Sequence, residues 1–331
     1  MTEWRVQVVE LGKVGKHPNA DTLSITQVNG AYPVIFKTGE LVQGSRAIHV
    51  PPDSLVPVDR PEFSWLADKA VNGYHRVRFC KLRGIPSYGF LLPMPDGWHF
   101  LEPGDLVHEQ LGVKHYDPGP CYEMGDQGEC VRVSCEAMIP HYDIEGLRKY
   151  ETLFQPGEEV WITEKIHGTN ARYIFIDGQL YCGSRTKFRA NSVWNKIGEK
   201  YNLSDILSRH PGLVLFGEIY GPTIQDLTYG RSEPDFAAFD LYDTVTGRYL
   251  DKLQFQRFCM LYDLPMVPTL AQAPFNLEDC YKMAEGKSLI CHTQVREGIV
   301  VKPVSERMDQ HMGRVILKLP GEGYLLRKEE K

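Results

Sequence analysis

The sequence predicts an α+β protein built as a small N-terminal β-barrel followed by a domain of antiparallel sheets flanked by helices. Three observations predict it. The first hundred or so residues break into short strand-like runs separated by Gly/Pro turns, the pattern of a small barrel or sandwich. The stretch from Leu111 to Asp126 is rich in Gly, Pro and Asp and reads as a linker, placing a boundary near Tyr122 and giving domains 1–121 and 122–331. Beyond it, hairpin-connected strands precede helical spacing, which favours α+β over a doubly wound sheet.

In the first domain, Trp4–Glu10 alternates and Lys16–Asp21 makes a polar turn. Strands are then expected at Leu23–Val28, Pro33–Lys37, Arg46–Val50, His75–Leu82 and Tyr88–Leu92. Arg76 and Arg78 share a face of the fifth run, with Lys81 and Arg83 just beyond. Such a stripe serves either as a charged edge that resists aggregation or as a track for phosphates. In the second domain, Glu159–Thr163 and Ala171–Ile176 are β-prone, and Asp177-Gly178 is a strong hairpin signal. Lys165 is therefore expected at the turn end of an antiparallel pair, where a lysine is suited to work as a nucleophile or a charged clamp. Helical spacing appears at Asp251–Tyr262 and Leu277–Ala284.

Composition narrows the class. The 331 residues are 42% hydrophobic and 24% charged, ordinary for a soluble globular protein of two domains. A net charge of −6 requires any nucleic-acid partner to be held by a local basic surface. No apolar run reaches the roughly 18 residues that span a bilayer, and the N-terminus lacks the apolar core of a secretory signal. The eight cysteines contain no Cys-x-x-Cys pair. The spacing of Cys121, Cys130 and Cys135 does not match zinc patterns, so reduced thiols in a cytoplasmic protein are expected.

Six segments share one design, a polar or charged residue set in or beside an apolar strand. They are Glu164-Lys165-Ile166-His167-Gly168-Thr169-Asn170, Gly183-Ser184-Arg185-Thr186, the run around Glu218, the run around Phe239-Asp240, Glu297-Gly298-Ile299-Val300-Val301-Lys302, and Arg314-Val315-Ile316-Leu317-Lys318-Leu319. Buried charges are costly unless paired or metal-bound, so these should converge on one site.

In this order and spacing the segments resemble the signature motifs of the covalent nucleotidyltransferases, the ATP-dependent ligases and mRNA-capping enzymes. The first motif is closest to the RNA ligase version. DNA ligases and capping enzymes usually carry Asp where this chain has His167. The Lys16–Leu23 and Leu82–Gly89 stretches resemble the tRNA-binding version of the OB barrel, a fold that commonly binds oligonucleotides. An OB-like module before a bare catalytic domain resembles the Deinococcus-type nick-sealing RNA ligases. The short stretch after Lys318 leaves no room for the C-terminal domains of the other groups.

The resemblance implies a monomeric ATP-dependent RNA ligase that seals 3′-OH/5′-phosphate nicks in duplex RNA or RNA–DNA hybrids, with no membrane association. Lys165 would attack the α-phosphate of ATP and form lysyl–AMP. A free lysine is neutral in only about one molecule in a few thousand at pH 7, and lowering its pKa by about three units takes roughly 4 kcal/mol. Mg²⁺ or Mn²⁺, with Lys318 or Lys302, would supply it. Glu164 would read the adenine amino group, and Asn170 and Arg185 would hold the ribose or phosphate side of AMP. Phe239 would stack on adenine, and Lys302 and Lys318 would contact phosphates. Glu218 and Glu297 would bind the metal, largely through waters. His167 is expected to act after lysine adenylylation. The last motif lacks one lysine of the usual Lys-x-Lys pair, so one phosphate contact is either missing or supplied elsewhere, for instance by Arg314.

Bland readings accompany several of these. Phe239 equally fits a core aromatic, and Asp240 is better read as structural. Lys187 and Arg189, with Lys196 and Lys200, form either a solvated face or a track for the nick backbone; Arg76 and Arg78 are the corresponding candidates in the first domain. The competing functions are a GTP-using guanylyltransferase of the capping type, a DNA ligase, and a non-catalytic RNA-binding protein.

Overall fold

The computed structural model describes residues 4–29, 32–116, 128–131, 133, 139–155, 157–310 and 312–327. The boundary placed near Tyr122, together with Cys121 and Cys135, lies outside them. Contacts divide the chain into two compact units, 1–118 and 119–331. Cys80, Cys130, Cys182, Cys259, Cys280 and Cys291 are free thiols. Among the described residues no helix is long and apolar enough to cross a membrane.

The first unit is a set of small antiparallel sheets. Arg46–Val50 is central, flanked by Gln7–Glu10 and Phe90–Pro93. Its alternating residues feed two cores. Ile48 joins Val8, Val56, Phe63 and Leu92 on one side, and Ala47 joins Val9, Val34, Phe36 and Leu91 on the other. Leu23–Val28 pairs with Tyr32–Lys37. The single strand expected at His75–Leu82 is instead two, Tyr74–Arg76 and Cys80–Leu82, because the second leaves its neighbour to pair with Ile85–Ser87. The tip of that hairpin is held by His17, whose Nε2 lies 3.1 Å from the Leu82 carbonyl, and by Asn19, which donates to the Arg83 carbonyl. The Lys16–Leu23 and Leu82–Gly89 stretches thus meet. Gly89 has φ of +84°, and a Cβ there would sit 2.0 Å from the Val50 carbonyl oxygen.

The second unit is two facing sheets with helices outside them. The larger is antiparallel, in the order Glu129–Val131, Phe188–Ala190, Gln179–Gly183, Thr169–Ile176, Leu213–Tyr220, Asp235–Asp243, Arg248–Tyr249. The smaller runs Glu145–Gly146, Leu317–Pro320, Gly298–Pro303, Glu159–Lys165, Thr269–Pro274, with only the first pair parallel. Side chains alternate across a strand, so each sheet presents one face inward and one outward. Tyr173, Leu215 and Leu241 pack outward on Trp194, Ile197 and Phe255 of the Val193–Lys200 and Lys252–Leu261 helices. Ile162, Val301 and Leu319 pack outward with Cys280 and Ala284 of the Leu277–Ala284 helix. Between the sheets lie Ile174, Val214, Phe216, Val300 and Ile316.

One sequence expectation changes here. Glu159–Lys165 and Thr169–Ile176 are not paired with each other. The first bonds to Gly298–Pro303 and Thr269–Pro274, the second to Gln179–Gly183 and Leu213–Tyr220. The three residues between them carry the chain from one sheet to the other, with Ile166 buried as the anchor. The Asp177-Gly178 hairpin forms as expected, with both residues at positive φ. The helices expected at 251–262 and 277–284 appear as Lys252–Leu261 and Leu277–Ala284. Val193–Lys200 and Leu203–Ser208 are additional.

Gly168 makes the crossing possible. A Cβ there would lie 2.2 Å from the Ile219 carbonyl oxygen and 2.9 Å from Glu218 Cγ. Gly168→Ala should therefore destabilise the protein by about 1–3 kcal/mol, the usual cost of overpacking, seen as a lower thermal midpoint. An unchanged midpoint would mean the crossing is not tightly packed.

Candidate active site

The crossing from Lys165 to Asn170 places these residues in different sheets, and register brings the rest to them. In the small sheet Lys165 pairs with Gly298, next to Glu297, and Lys318 pairs with Val300. In the large sheet Asn170 pairs with Glu218. Parity puts Lys165 and Lys318 on the inward face of one sheet and Asn170 and Glu218 on the inward face of the other.

Lys165 Nζ is 2.8 Å from Glu297 Oε1, and both side chains are largely buried. Burial alone would push the ammonium to release its proton, but the charges of Glu297 and Glu218 overcome it and raise the Lys165 pKa above the ordinary lysine value. The sequence reading expects cations to lower this pKa; in the protein by itself the carboxylates prevail. Glu218 is pushed up to about 8, first by burial and further by Glu297, against the pull of Lys165 and the Gly168 N–H. Lys318 is lowered to about 8 by burial and by the charge of Lys165.

Three buried acceptors in this region have no hydrogen-bond partner: Glu164 Oε1, Asn170 Oδ1 and Glu297 Oε2. Such groups are rare in folded proteins and mark places where a ligand or ion completes the bonding. Glu164 Oε2 accepts from the Leu289 N–H at 2.7 Å, and burial raises the Glu164 pKa. The donor set suits a hard cation. Two carboxylates with adjoining water and phosphate oxygens match the habit of Mg²⁺, and crowding between Glu218 and Glu297 is relieved by positive charge. Among the described residues no group of three or more His, Cys, Asp or Glu is placed to hold a metal without such help.

Phe239 is the extra residue of a bulge, since Gly217 pairs with Ala238 and Phe216 with Asp240. The bulge lets consecutive residues face the space between the sheets. Phe239 lies half-buried with its ring 4.7 Å from that of Tyr142, and Asp240 enters a buried charge network. Asp240 meets Lys302 Nζ at 2.9 Å and Arg314 Nη1 at 2.8 Å, and accepts from the Tyr142 hydroxyl. Arg314 also holds Glu306 and stacks 3.5 Å from the centre of the Tyr249 ring.

This corrects the phosphate role expected of Lys302. It stands four residues along its strand from Gly298, about 13 Å from the Lys165 end. Its charge is engaged by Asp240 and by the Phe239 carbonyl at 3.2 Å. Arg314 is similarly committed and does not replace the missing lysine of the last motif, whose position holds buried Ile316. Arg185 is not among the converged residues; it pairs with Asp143 at 2.6 Å. Lys187 is exposed, and Arg189 donates to the Gly128 carbonyl. In the first unit Arg76 donates twice to Asp53 and stacks 3.6 Å from the centre of the Tyr116 ring, so the basic stripe reduces there to exposed Arg78, Lys81 and Arg83.

His167 is held on every side. Its Nε2 is 2.7 Å from Asp226 Oδ1, its Nδ1 is 3.0 Å from the Tyr324 hydroxyl, and its backbone N–H donates to the Tyr229 hydroxyl. Glu297 Oε2 is 3.9 Å from Nδ1. Asp226, Tyr229 and Tyr324 escaped the sequence reading. The signal for Asp226 was the histidine itself, which needs a partner when half-buried beside a carboxylate.

Comparison with known proteins fits this geometry. Lys165 stands beside Glu297 and feels the charge of Glu218 where the two sheets meet. Residues 158–319, in the second unit, match the RNA ligase family model, and residues 5–94, in the first, match an OB-fold domain. An uncharacterised protein of Methanocaldococcus jannaschii is 30% identical over 152 residues, and the β subunit of phenylalanine–tRNA ligase from Neisseria gonorrhoeae is 37% identical over 106 residues. The matched parts span only 38% and 12% of those relatives. Among solved structures, Naegleria gruberi RNA ligase variants bound to ATP and Mn and to AMP and Mn both superpose with a TM-score of 0.83 at 23% identity. They cover 98–99% of this chain and 99–100% of theirs. At that identity the likeness is one of fold.

The raised Glu218 pKa has a measurable consequence. The native state holds this proton more tightly than the unfolded chain, so ionisation of Glu218 opposes folding. The penalty grows as pH rises from the ordinary carboxylate value, near 4.5, to about 8 and is constant above. Glu218→Gln should have a higher thermal midpoint than wild type at pH 8.5, with the difference shrinking towards pH 4.5. An equal midpoint at both pH values would place Glu218 in a more polar setting.

Proposed function

We propose that the protein is an ATP-dependent RNA ligase that seals 3′-OH/5′-phosphate nicks in duplex RNA or RNA–DNA hybrids. The observation that carries this reading is the Lys165–Glu297–Glu218–Lys318 constellation, drawn from both sheets of an RNA ligase family domain. Neutral Lys165 attacks the α-phosphorus of ATP; the P–N bond forms as the bond to the bridging oxygen breaks, and pyrophosphate leaves. An oxygen of the 5′-phosphate at the nick then attacks the same phosphorus, releasing the lysine and leaving a 5′-adenylylated strand. The RNA 3′-OH displaces AMP from that strand and closes the phosphodiester.

Mg²⁺ or Mn²⁺, when bound, supplies positive charge for the transferring phosphoryl group. Glu218 and Glu297 would hold it; in the protein by itself Glu297 keeps the proton on Lys165. Lys318, with its pKa lowered to about 8, stabilises developing phosphate charge from the same face of the sheet. Glu164 Oε1 offers an acceptor to the adenine amino group and Asn170 Oδ1 one to the ribose, in keeping with their unpartnered state. Phe239 offers a ring face to the base. His167 serves the steps after lysine adenylylation. The OB unit binds the nicked duplex, with Arg78 at its basic edge, and Lys187 and Arg189 follow the backbone on the catalytic unit.

Incubation with α-labelled ATP and Mg²⁺ or Mn²⁺ should leave label covalently on wild type and none on Lys165→Ala, and nicked RNA duplexes should then be sealed. Equal label on the variant would remove the nucleophile. Preference for GTP would favour capping chemistry, and better sealing of a deoxy nick would favour a DNA ligase. Added Mg²⁺ should raise the thermal midpoint of wild type at pH 8.5 and leave that of Glu218→Gln unchanged; equal rises would place the metal elsewhere.

A further inference from the structure

The segment from Gly321 to Arg327 and the loop carrying Asp226 form a clamp around His167. Asp226 receives Arg327 on both oxygens, at 2.9 and 3.0 Å, as well as His167 Nε2 at 2.7 Å. These hydrogen bonds outweigh burial and hold the Asp226 pKa down at about 2, so it is a carboxylate at any working pH. The Arg327 guanidinium carbon is 3.7 Å from the centre of the Tyr324 ring, and the Tyr324 hydroxyl meets His167 Nδ1. The segment is itself tied down: the Gly321 N–H donates to the Glu297 carbonyl at 2.9 Å, and the Gly323 N–H to Glu285 Oε2 at 3.1 Å.

Asp226 accepts only, and its 2.7 Å approach to Nε2, much closer than the 3.5 Å of Arg327 Nη2 to the same nitrogen, calls for a proton there. Nδ1 is then free to accept from the Tyr324 hydroxyl. The pair selects one tautomer and one ring orientation, with the Nδ1 edge 3.9 Å from Glu297 Oε2. A rotation of the ring would break both bonds and leave the Asp226 charge held by Arg327 alone.

We propose that Asp226 is a positioning residue that acts through His167, with Tyr324 and Arg327 completing the clamp that sets the imidazole against the carboxylate paired with Lys165. The contacts of Asp226 are to His167 and Arg327 rather than to Lys165 or Glu297. The step it serves rests on the ligase reading above; the locked ring does not. Loss of a partner that orients a site residue typically costs roughly 10–100-fold in activity.

The test is a double-mutant cycle read on the separate rates of lysyl–AMP formation and nick sealing, with ¹⁵N NMR of the histidine rings alongside. Asp226→Ala and His167→Ala should slow the same step by roughly 10–100-fold, leaving half-saturation by ATP within about twofold, and the double variant should be no slower than the slower single. Asp226→Asn, which keeps an acceptor for Nε2–H, should retain more activity than Asp226→Ala. The wild-type spectrum should show the Nε2–H tautomer at His167, lost in Asp226→Ala. Single effects that multiply in the double variant, or a ring signal unchanged by Asp226→Ala, would overturn the proposal. Absence of lysyl–AMP in wild type would instead refute the ligase reading, and the NMR comparison would still decide the clamp.

Discussion

The second unit depends on a three-residue crossing between two sheets. Ile166, His167 and Gly168 carry the chain from one hydrogen-bonded lattice to another, so Lys165 and Asn170 look at each other across a cleft from opposite walls. Each wall is rigid because its outward face is sealed by helices, and the alternation of side chains then decides which residues enter the cleft. The tolerance at the crossing is small, since the Gly168 backbone runs against the Ile219 carbonyl.

Further along the cleft the two walls are joined by charge as well as by apolar packing. Lys302 and Arg314 on one side share Asp240 on the other, with Tyr142 and Glu306 filling remaining valences. Breaking such a buried pair leaves an uncompensated charge, which costs far more than the pair contributes by itself. The network also explains why a bulge is kept at Phe239. Without the extra residue, Asp240 and Phe239 would face opposite sides of the sheet, and either the bridge or the aromatic face would be lost from the cleft.

Much of this was legible in the sequence, and the failures have physical causes. The hairpin at Asp177-Gly178 and the Lys252–Leu261 helix follow from local turn chemistry and capping, which act over a few residues. Strand partnership is not local: Glu159–Lys165 reads the same whether it bonds to its successor or to Gly298–Pro303, and only the closed fold chooses. Motif spacing marked Lys302 and Lys318 equally, yet register sets one against Asp240 and the other near Lys165. Asp226 lies 59 residues from His167, in a loop without periodicity, so nothing short of the fold could pair them.

The contact between Lys165 and Glu297 also bears on chemical safety. A lysine amine that keeps part of its side chain exposed is open to capture by aldehydes, acyl phosphates and other electrophiles. Held as an ammonium against a carboxylate, it has no lone pair to offer them. The pairing with Glu297 thereby shields Lys165 from such modification.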